Sequence, residues 1–495
     1  MNTFNWLINN VSLMAIIYVM NFVFIILVLF FERKSPAVRL AWIMVLAFMP
    51  IIGFVFYLVF SQNLSRMHIN QLQEEEWQGI SELLEEQTSV NERRLLNGIL
   101  KEYVNPVYFS RNDLVKLNQI YGESLYSDGN DCELITDGNQ LLDMMIEDIR
   151  KAEKSIYAEY FIVKNDETGK RFIQELTNKA REGLSVKFLI DTQGSRSIGK
   201  HALKDYIEAG GQIGYFFPSR LSKIGIRVGL NLNYRNHRKI VIIDETTAYT
   251  GGYNIGEEYV DKSPKFGHWR DSHVRIRGEA VKELLGRFVL DWRFTTREEM
   301  KIPISVNIHD RVGSKGIQIV NCGPESPHQE IKRAFMKMIT TSKESVFIQS
   351  PYFVPDQSII ESLKMASQSG VDVRVMIPCK PDHVFVYWAT YSYVGELLRN
   401  GCKVYIYDGG FLHAKTIVSD GEVSSVGSCN FDIRSFKLNF ETNAFIYDKD
   451  FASTMEEAFF EDVKNSHELT LEDYNNRSMI IKFKENISTL MTEIL

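Results

Sequence analysis

At 495 residues the chain is long for one domain, and two or more folding units are expected. Its net charge of -7 counts against a nucleic-acid binder, which shows a basic excess or a clustered basic face. Five scattered cysteines (Cys132, Cys322, Cys379, Cys402, Cys429) lack CxxC spacing, so they read as free, mostly buried thiols, neither a disulfide framework nor a zinc site.

The first predicted unit, 1–62, is a hydrophobic hairpin. Val11 to Phe31 carries only Ser12 and Asn21 as clearly polar residues, and Leu40 to Phe60 carries no charge, broken by Pro50 and Gly53. Each stretch is 21 residues long, close to the roughly 20 needed to span a bilayer core. No Lys or Arg precedes Arg33 and there is no small-residue cleavage site, so a cleaved signal peptide fits poorly. A transmembrane hairpin with spans near 11–31 and 40–60 is predicted, placing the protein in the cell membrane as a multi-pass anchor. Arg33, Lys34 and Arg39 favour a cytoplasmic loop with both termini outside. The free cysteines point to a reducing compartment instead, so the side on which the rest of the chain lies stays open.

Residues 63–129 read as an acidic helical connector. Glu74, Glu75, Glu76, Glu82, Glu85 and Glu86 are interspersed with Leu72, Trp77, Ile80, Leu83, Leu84 and Leu95 at loosely helical spacing, a solvated acidic side with an apolar one.

From 130 onward helical and strand-like segments alternate, which predicts an α/β fold. Leu141, Met145 and Ile149 form a helical stripe followed by the strand-like "SIYAEYFIV" at Ser155. Ile331, Phe335 and Ile339 form another, followed by "SVFIQSPYFV" at Ser345. "GLSVKFLID" from Gly183 answers to "GVDVRVMIP" from Gly370, and "GQIGYF" from Gly211 to "GCKVYI" from Gly401. The repeat is a whole domain, much longer than a solenoid unit. Residues 130–315 and 316–495 are therefore expected to be two copies of one α/β fold, packed about a pseudo-twofold axis.

The repeat carries a duplicated motif. "HRKIVIID" places His237, Lys239 and Asp244 against His413, Lys415 and Asp420 of "HAKTIVSD", each pair 176 positions apart. The same 176 separates Asn254 of "GGYN" from Asn430 of "GSCN". "DSHVRI" and "ETNAFI" match Asp271 with Glu441, 170 apart. Residues two apart on a strand share a face, so each His and Lys converge. Two His, two Lys and two Asn suit a phosphoryl group: lysines neutralise its oxygens and amides donate to them. One imidazole can attack phosphorus while the other handles the proton of the alcohol. Each His needs a partner on its second ring nitrogen, and Asp271 and Glu441 are the candidates. Asp244 and Asp420 lie seven residues past their histidines, an odd step that turns them away from the pocket unless a bulge intervenes. A supporting role is predicted for both. No other His or Cys stands near either motif at ligand spacing, and His268 and His273 are five apart, so neither a metal nor a cofactor is expected.

From about 130 to the C-terminus these motifs resemble the phospholipase D superfamily, marked by a duplicated HxKxxxxD followed by GGxN or GSxN. More narrowly, "ERKSPAVRLAWIMVLAFMPIIGFVFYL", "RNHRKIVIID", "GGYNIGEEY", "HWRDSHVRI", "QSPYFVPD", "FLHAKTIVSD" and "RSFKLNFETNAF" are similar to bacterial cardiolipin synthases over nearly the full chain. The resemblance implies metal-independent transfer of a phosphatidyl group from one phosphatidylglycerol to another through a phosphohistidine, releasing glycerol. It assigns His237, Lys239, Asp244, His413, Lys415 and Asp420 as the catalytic motif residues, with His237 as nucleophile and His413 as general acid/base. Pseudo-twofold symmetry leaves either His chemically eligible. Cys429, inside the second motif, is expected to be a packed thiol. Hydrolysis or headgroup exchange would use the same residues and differ only in the acceptor site. A nucleic-acid phosphodiesterase is opposed by the charge and the spans, a non-enzymatic scaffold by the intact duplicated motif. The partners implied are phosphatidylglycerol and the bilayer, with no nucleic acid; the oligomeric state is not legible. The terminal stripe Ile480, Phe483, Ile487, Leu490 and Ile494, with Lys482 and Lys484 between, is expected to pack on the core rather than lie on lipid.

Overall fold

The computed structural model describes residues 2–31, 36–60, 105–199, 201–217, 234–300, 311–326, 328–380, 382 and 384–492. Three helices open the chain: α1 (Asn2–Phe31), α2 (Pro36–Phe48) and α3 (Pro50–Phe60). Pro50 has no N–H and divides the second apolar stretch. Met49 N still donates to Val45 O (2.9 Å) and Gly53 N to Met49 O (2.5 Å), so the chain runs on across the break. Asn21 Nδ2 donates to Leu46 O (2.9 Å), and Val28, Trp42, Leu46 and Tyr57 bury one another between the two limbs. Around them Phe22, Phe30, Phe48 and Phe54 are exposed. Among the described residues no helix is long and apolar enough to cross a membrane.

Most of the expected acidic connector, 61–104, lies outside the described residues. Beyond it, α4 (Val107–Ser110) and α5 (Asn112–Gly122) pack on the second repeat. Arg111 pairs with Asp420 (2.5 Å) and Glu422 (2.9 Å) there.

The first repeat runs β1 (Ser127–Ile135), α6 (Gly138–Lys151), β2 (Ser155–Tyr160), α7 (Glu167–Arg181), β3 (Ser185–Asp191), α8 (Lys204–Glu208) and β4 (Gln212–Phe216). It continues with β5 (Arg235–Asn236), β6 (Lys239–Ile243), β7 (Thr247–Gly251), β8 (Trp269–Arg270), β9 (His273–Arg277) and α9 (Ala280–Thr296). The stretch 218–233, where the first copy is longer, lies outside the described residues. The second repeat keeps the same order: β10 (Lys315–Cys322), α10 (Glu330–Thr341), β11 (Ser345–Gln349), α11 (Gln357–Gln368), β12 (Asp372–Pro378), α12 (Val384–Arg399) and β13 (Lys403–Tyr407). Then come β14 (Phe411–Leu412), β15 (Thr416–Ser419), β16 (Val423–Gly427), α13 (Ile433–Lys437), β17 (Asn439–Tyr447), α14 (Lys449–Lys464), β18 (Ser466–Glu468), α15 (Leu471–Asn476) and α16 (Met479–Thr492).

The local chemistry explains the alternation. Asp137, Asp166 and Asp356 cap α6, α7 and α11 by accepting from backbone N–H groups three residues on. The β-branched runs of β2, β3, β11 and β12 are largely apolar because helices or the other layer cover both faces. Sixteen strands form one sheet, in the order β18-β13-β12-β11-β15-β16-β17-β10-β1-β9-β7-β6-β2-β3-β4, with β5 beside β17. β1 and β10 meet antiparallel at its centre (Ser127 opposite Ile317), so the pseudo-twofold axis passes between them. Each repeat keeps its own outer core under α6 and α7 or α10 and α11. A third core, under α9 and α14, is built from both repeats: Phe288, Trp292 and Ile240 join Phe440, Phe451 and Val418.

The terminal helix differs from expectation. Ile480 (69%), Phe483 (64%) and Ile487 are exposed, while Glu485 and Ser488 are buried. Arg477 Nε donates to both oxygens of Glu485 (2.7 and 2.9 Å), and that ion pair, with Tyr474 beneath, holds the polar side inward. These three apolar side chains of the stripe face out, and those of Leu490 and Ile494 lie outside the described residues. All five cysteines are free, and all but the half-buried Cys379 are buried.

Candidate active site

Both histidines sit where the chain crosses from one repeat to the other. β5 runs parallel to the start of β17 (Arg235 opposite Asn439), and His237 N then donates to Phe440 O (2.9 Å). β14 does the same with β8 (Phe411 opposite Trp269), and His413 N donates to Arg270 O (2.7 Å). Each His is therefore seated on the other repeat's backbone, at the end where the parallel strands β2 and β11 finish, the edge at which α/β sheets bind ligands.

The second-nitrogen partners cross as well. His237 Nδ1 lies 2.9 Å from Glu441 Oε2, and His413 Nδ1 lies 2.6 Å from Asp271 Oδ2. Glu441 and Asp271 are fully buried, and both histidines are nearly so. The carboxylate fixes the imidazole's orientation and leaves Nε2 for chemistry. Lys239 Nζ donates to His237 O (2.5 Å) and Lys415 Nζ donates to His413 O. Lys415 Nζ is also 2.6 Å from His413 Nδ1 and 3.6 Å from Asp271.

Burial dominates the titration here. It lowers His413 to about 4, helped by Lys415, and lowers His237 against the pull of Glu441. Burial brings Lys239 down to about 7 despite Glu441, and Lys415 to about 8 despite Asp271. It opposes ionisation of the two carboxyls too. Lys415 and His413 nevertheless hold Asp271 below the usual carboxylate value, and His237 and Lys239 hold Glu441 there. The site thus keeps neutral imidazoles beside ionised carboxylates, and an anion bound among them would restore charge to its cations.

Asn254 and Asn430 are buried beside the motif strands. Asn254 Oδ1 accepts from Ile162 N (3.1 Å), whereas Asn430 Oδ1 is buried with no hydrogen-bond partner among the described residues. Asp244 and Asp420 are outside this constellation. Each ends its strand in a left-handed turn (φ 51° and 54°). Asp244 accepts from the N–H groups of Glu153, Lys154 and Ser155, and Asp420 from those of Lys343, Glu344 and Ser345. Cys429 is buried, its Sγ 3.5 Å from Asn430 O. Among the described residues no group of three or more His, Cys, Asp or Glu is placed to hold a metal ion.

Several contributors escaped the sequence reading. Ser428 donates to Glu441 Oε2 (2.5 Å), and its own carbonyl is 3.2 Å from His237 Nδ1. Its partner position is Gly252, where a Cβ would stand 1.9 Å from Asp271 Oδ1. The change from "GGYN" to "GSCN" was the available signal. Arg238, fully buried, donates to Asp291 (2.7 Å) and to Glu441 O (3.3 Å), bracing the His237 segment on α9. Phe161 packs edge-on to His237 (4.9 Å between centroids) and Trp269 lies against His413 (4.9 Å).

The chain is similar to known proteins in sequence and in fold. The family model described as "Cardiolipin synthase, PLD-like domain" matches residues 145–285 and 335–463, and "Phospholipase_D-nuclease N-terminal" matches 19–62. The major cardiolipin synthase of Bacillus subtilis (strain 168) is 43% identical over 485 residues, covering 98% of this chain and 99% of the relative. Cardiolipin synthase 2 of Staphylococcus epidermidis is 44% identical over 486 residues, covering 97% and 96%. Among solved structures, phosphatidylserine synthase of Haemophilus influenzae Rd KW20 superposes with a TM-score of 0.61 at 14% identity, over 77% of this chain and 100% of that one, a likeness of fold.

Proposed function

The chain belongs to the family of cardiolipin synthases built on phospholipase D-like domains, and from that membership we propose that it joins two phosphatidylglycerol molecules into cardiolipin and glycerol. The observation that carries the mechanism is the crossed pairing of His237 with Glu441 and His413 with Asp271. His237 Nε2 attacks the phosphorus of the first lipid in line with the departing glycerol oxygen, which takes a proton from His413, the imidazole that the bound phosphodiester anion has recharged. A P–N bond forms and a P–O bond breaks. The headgroup hydroxyl of the second lipid then gives its proton to His413, its oxygen attacks the same phosphorus, and the P–N bond breaks to release cardiolipin. Lys239, Lys415, Asn254 and Asn430 face the phosphoryl oxygens, and the lysines supply the cationic charge that stabilises the transition state. Asp244 and Asp420 hold the turns that support this face.

The domain assignment is 1–62 as a transmembrane hairpin, 63–129 as connector, and 130–315 and 316–495 as the two catalytic repeats. The membrane reading is supported by the apolar side chains exposed on α1 to α3 and by the outward stripe of α16. The test of the intermediate is direct. With His413→Ala, phosphatidylglycerol should leave an acid-labile phosphatidyl adduct on His237, found by mass spectrometry. An adduct on His413 of a His237→Ala variant instead would reverse the two roles.

A further inference from the structure

A narrow cleft, open to solvent at its mouth, lies beside His413 and is lined by Pro351, Tyr352, Pro378, Lys380, Asp382 and Phe411 among others. The ring of Phe411 lies 5.9 Å from that of His413, and Tyr352 stands 6.4 Å away, edge-on. Tyr352 donates its hydroxyl to Asp382 Oδ2 (2.7 Å), which fixes a carboxylate at the wall of the cleft.

The two repeats differ at this place. The first-repeat positions matching Tyr352, Pro378, Lys380, Asp382 and Phe411 are Ile162, Asp191, Gln193, Ser195 and Arg235. There the loop closes on itself. Asp191 accepts from the N–H groups of Gln193 (2.8 Å), Gly194 (2.9 Å) and Asn236 (3.0 Å). Ser195 Oγ donates to Phe161 O (3.0 Å) and accepts from Val163 N (3.0 Å). Arg235 puts a guanidinium where the second repeat has a phenyl ring, so the His237 side invites an anion and the His413 side an uncharged group with a carbon skeleton.

We propose that the cleft beside His413 is the polyol subsite, in which Asp382, held by Tyr352, accepts hydrogen bonds from the glycerol headgroup of the lipid. This rests on the synthase reading above. In an in-line displacement the departing and entering oxygens both lie on the side of the proton-handling imidazole, which is the side of this cleft. Phe411, Pro351 and Pro378 cover the carbon chain, and Lys380 faces the second lipid's own phosphate. A carboxylate can accept from both vicinal hydroxyls, whereas water gains nothing comparable there. Asp382 is thus a specificity residue: it favours a glycerol hydroxyl over water as the acceptor.

The test uses the full chain in phosphatidylglycerol vesicles with radiolabelled free glycerol. Two products are counted together: labelled phosphatidylglycerol from glycerol attack and phosphatidic acid from water attack. Asp382→Asn should lower the ratio of the first to the second about tenfold or more, the scale of one charge-assisted hydrogen bond, and raise the glycerol concentration needed for half-saturation. Tyr352→Phe should move the ratio the same way by about threefold, and it decides the matter if Asp382→Asn gives no product. An unchanged ratio, or both products falling together, overturns the proposal. Wild-type protein that makes phosphatidic acid but neither cardiolipin nor labelled phosphatidylglycerol would defeat the synthase reading itself, before any variant is compared.

Discussion

The side chains of the site work by mutual compensation in a dry place. Two ammonium groups and two imidazoles share it with two carboxylates, and burial brings the lysines near the edge of losing their protons against the pull of those carboxylates. Lysines binding a phosphodiester must be charged, and a lysine is charged only below its pKa. With Lys239 at about 7 and Lys415 at about 8, kcat/KM should fall as pH rises through that interval. A profile flat to about pH 9.5 would contradict this role for the lysines. Gly252→Ala should cost activity at least about tenfold, because its Cβ would enter the space of Asp271 Oδ1 and turn the His413 partner aside. Circular dichroism and kcat together separate that loss from unfolding. The residues themselves were legible in the sequence, since two copies of one motif at one offset mark each other. The crossing was not: equivalent positions show that Asp271 and Glu441 correspond, but not that each serves the other repeat's histidine. Tyr352 and Asp382 were invisible for the opposite reason, because they occur where the repeats differ.

At the level of elements, the odd step from His to Asp predicted turn residues, and the turns explain what they do. Each Asp carboxylate satisfies three backbone N–H groups before β2 or β11 and holds a residue in a left-handed conformation. Asp244→Ala should lower unfolding free energy by about 1–3 kcal/mol, read as a lower urea midpoint, with kcat per folded molecule changed less than about twofold. Asp420→Ala should cost more, since Arg111 then loses one of its two ion-pair partners. Burial opposes ionisation of Asp244, yet the N–H donors hold its pKa below the unfolded value. Its support is therefore complete above the ordinary aspartate range and lost as pH falls through the lowered pKa. Two elements resisted prediction. Pro50 splits an apolar run that hydropathy alone reads as one helix, and hydrophobic spacing on α16 could not tell which side faces the core. There a single buried ion pair outweighs the stripe.

At the scale of the whole molecule, duplication builds one site rather than two. The sheet is continuous across β1 and β10, the core under α9 and α14 draws on both repeats, and each histidine stands on its partner repeat's strand. Neither repeat alone has a complete histidine–carboxylate pair. The exposed apolar faces of α1 to α3 and of α16 lie on the same chain as a lipid-handling centre, and α16 packs on α12, which borders the polyol cleft. If 1–62 is the membrane anchor proposed above, removing it should lower activity on phosphatidylglycerol vesicles at least about tenfold while sparing short-chain phosphatidylglycerol in micelles, because an anchor acts through proximity. The most direct measurement is product balance. Purified protein given phosphatidylglycerol vesicles and excess chelator should form cardiolipin and free glycerol in equal amounts. Phosphatidic acid in place of cardiolipin, or loss of turnover with the chelator, would contradict a metal-independent phosphatidyl transfer.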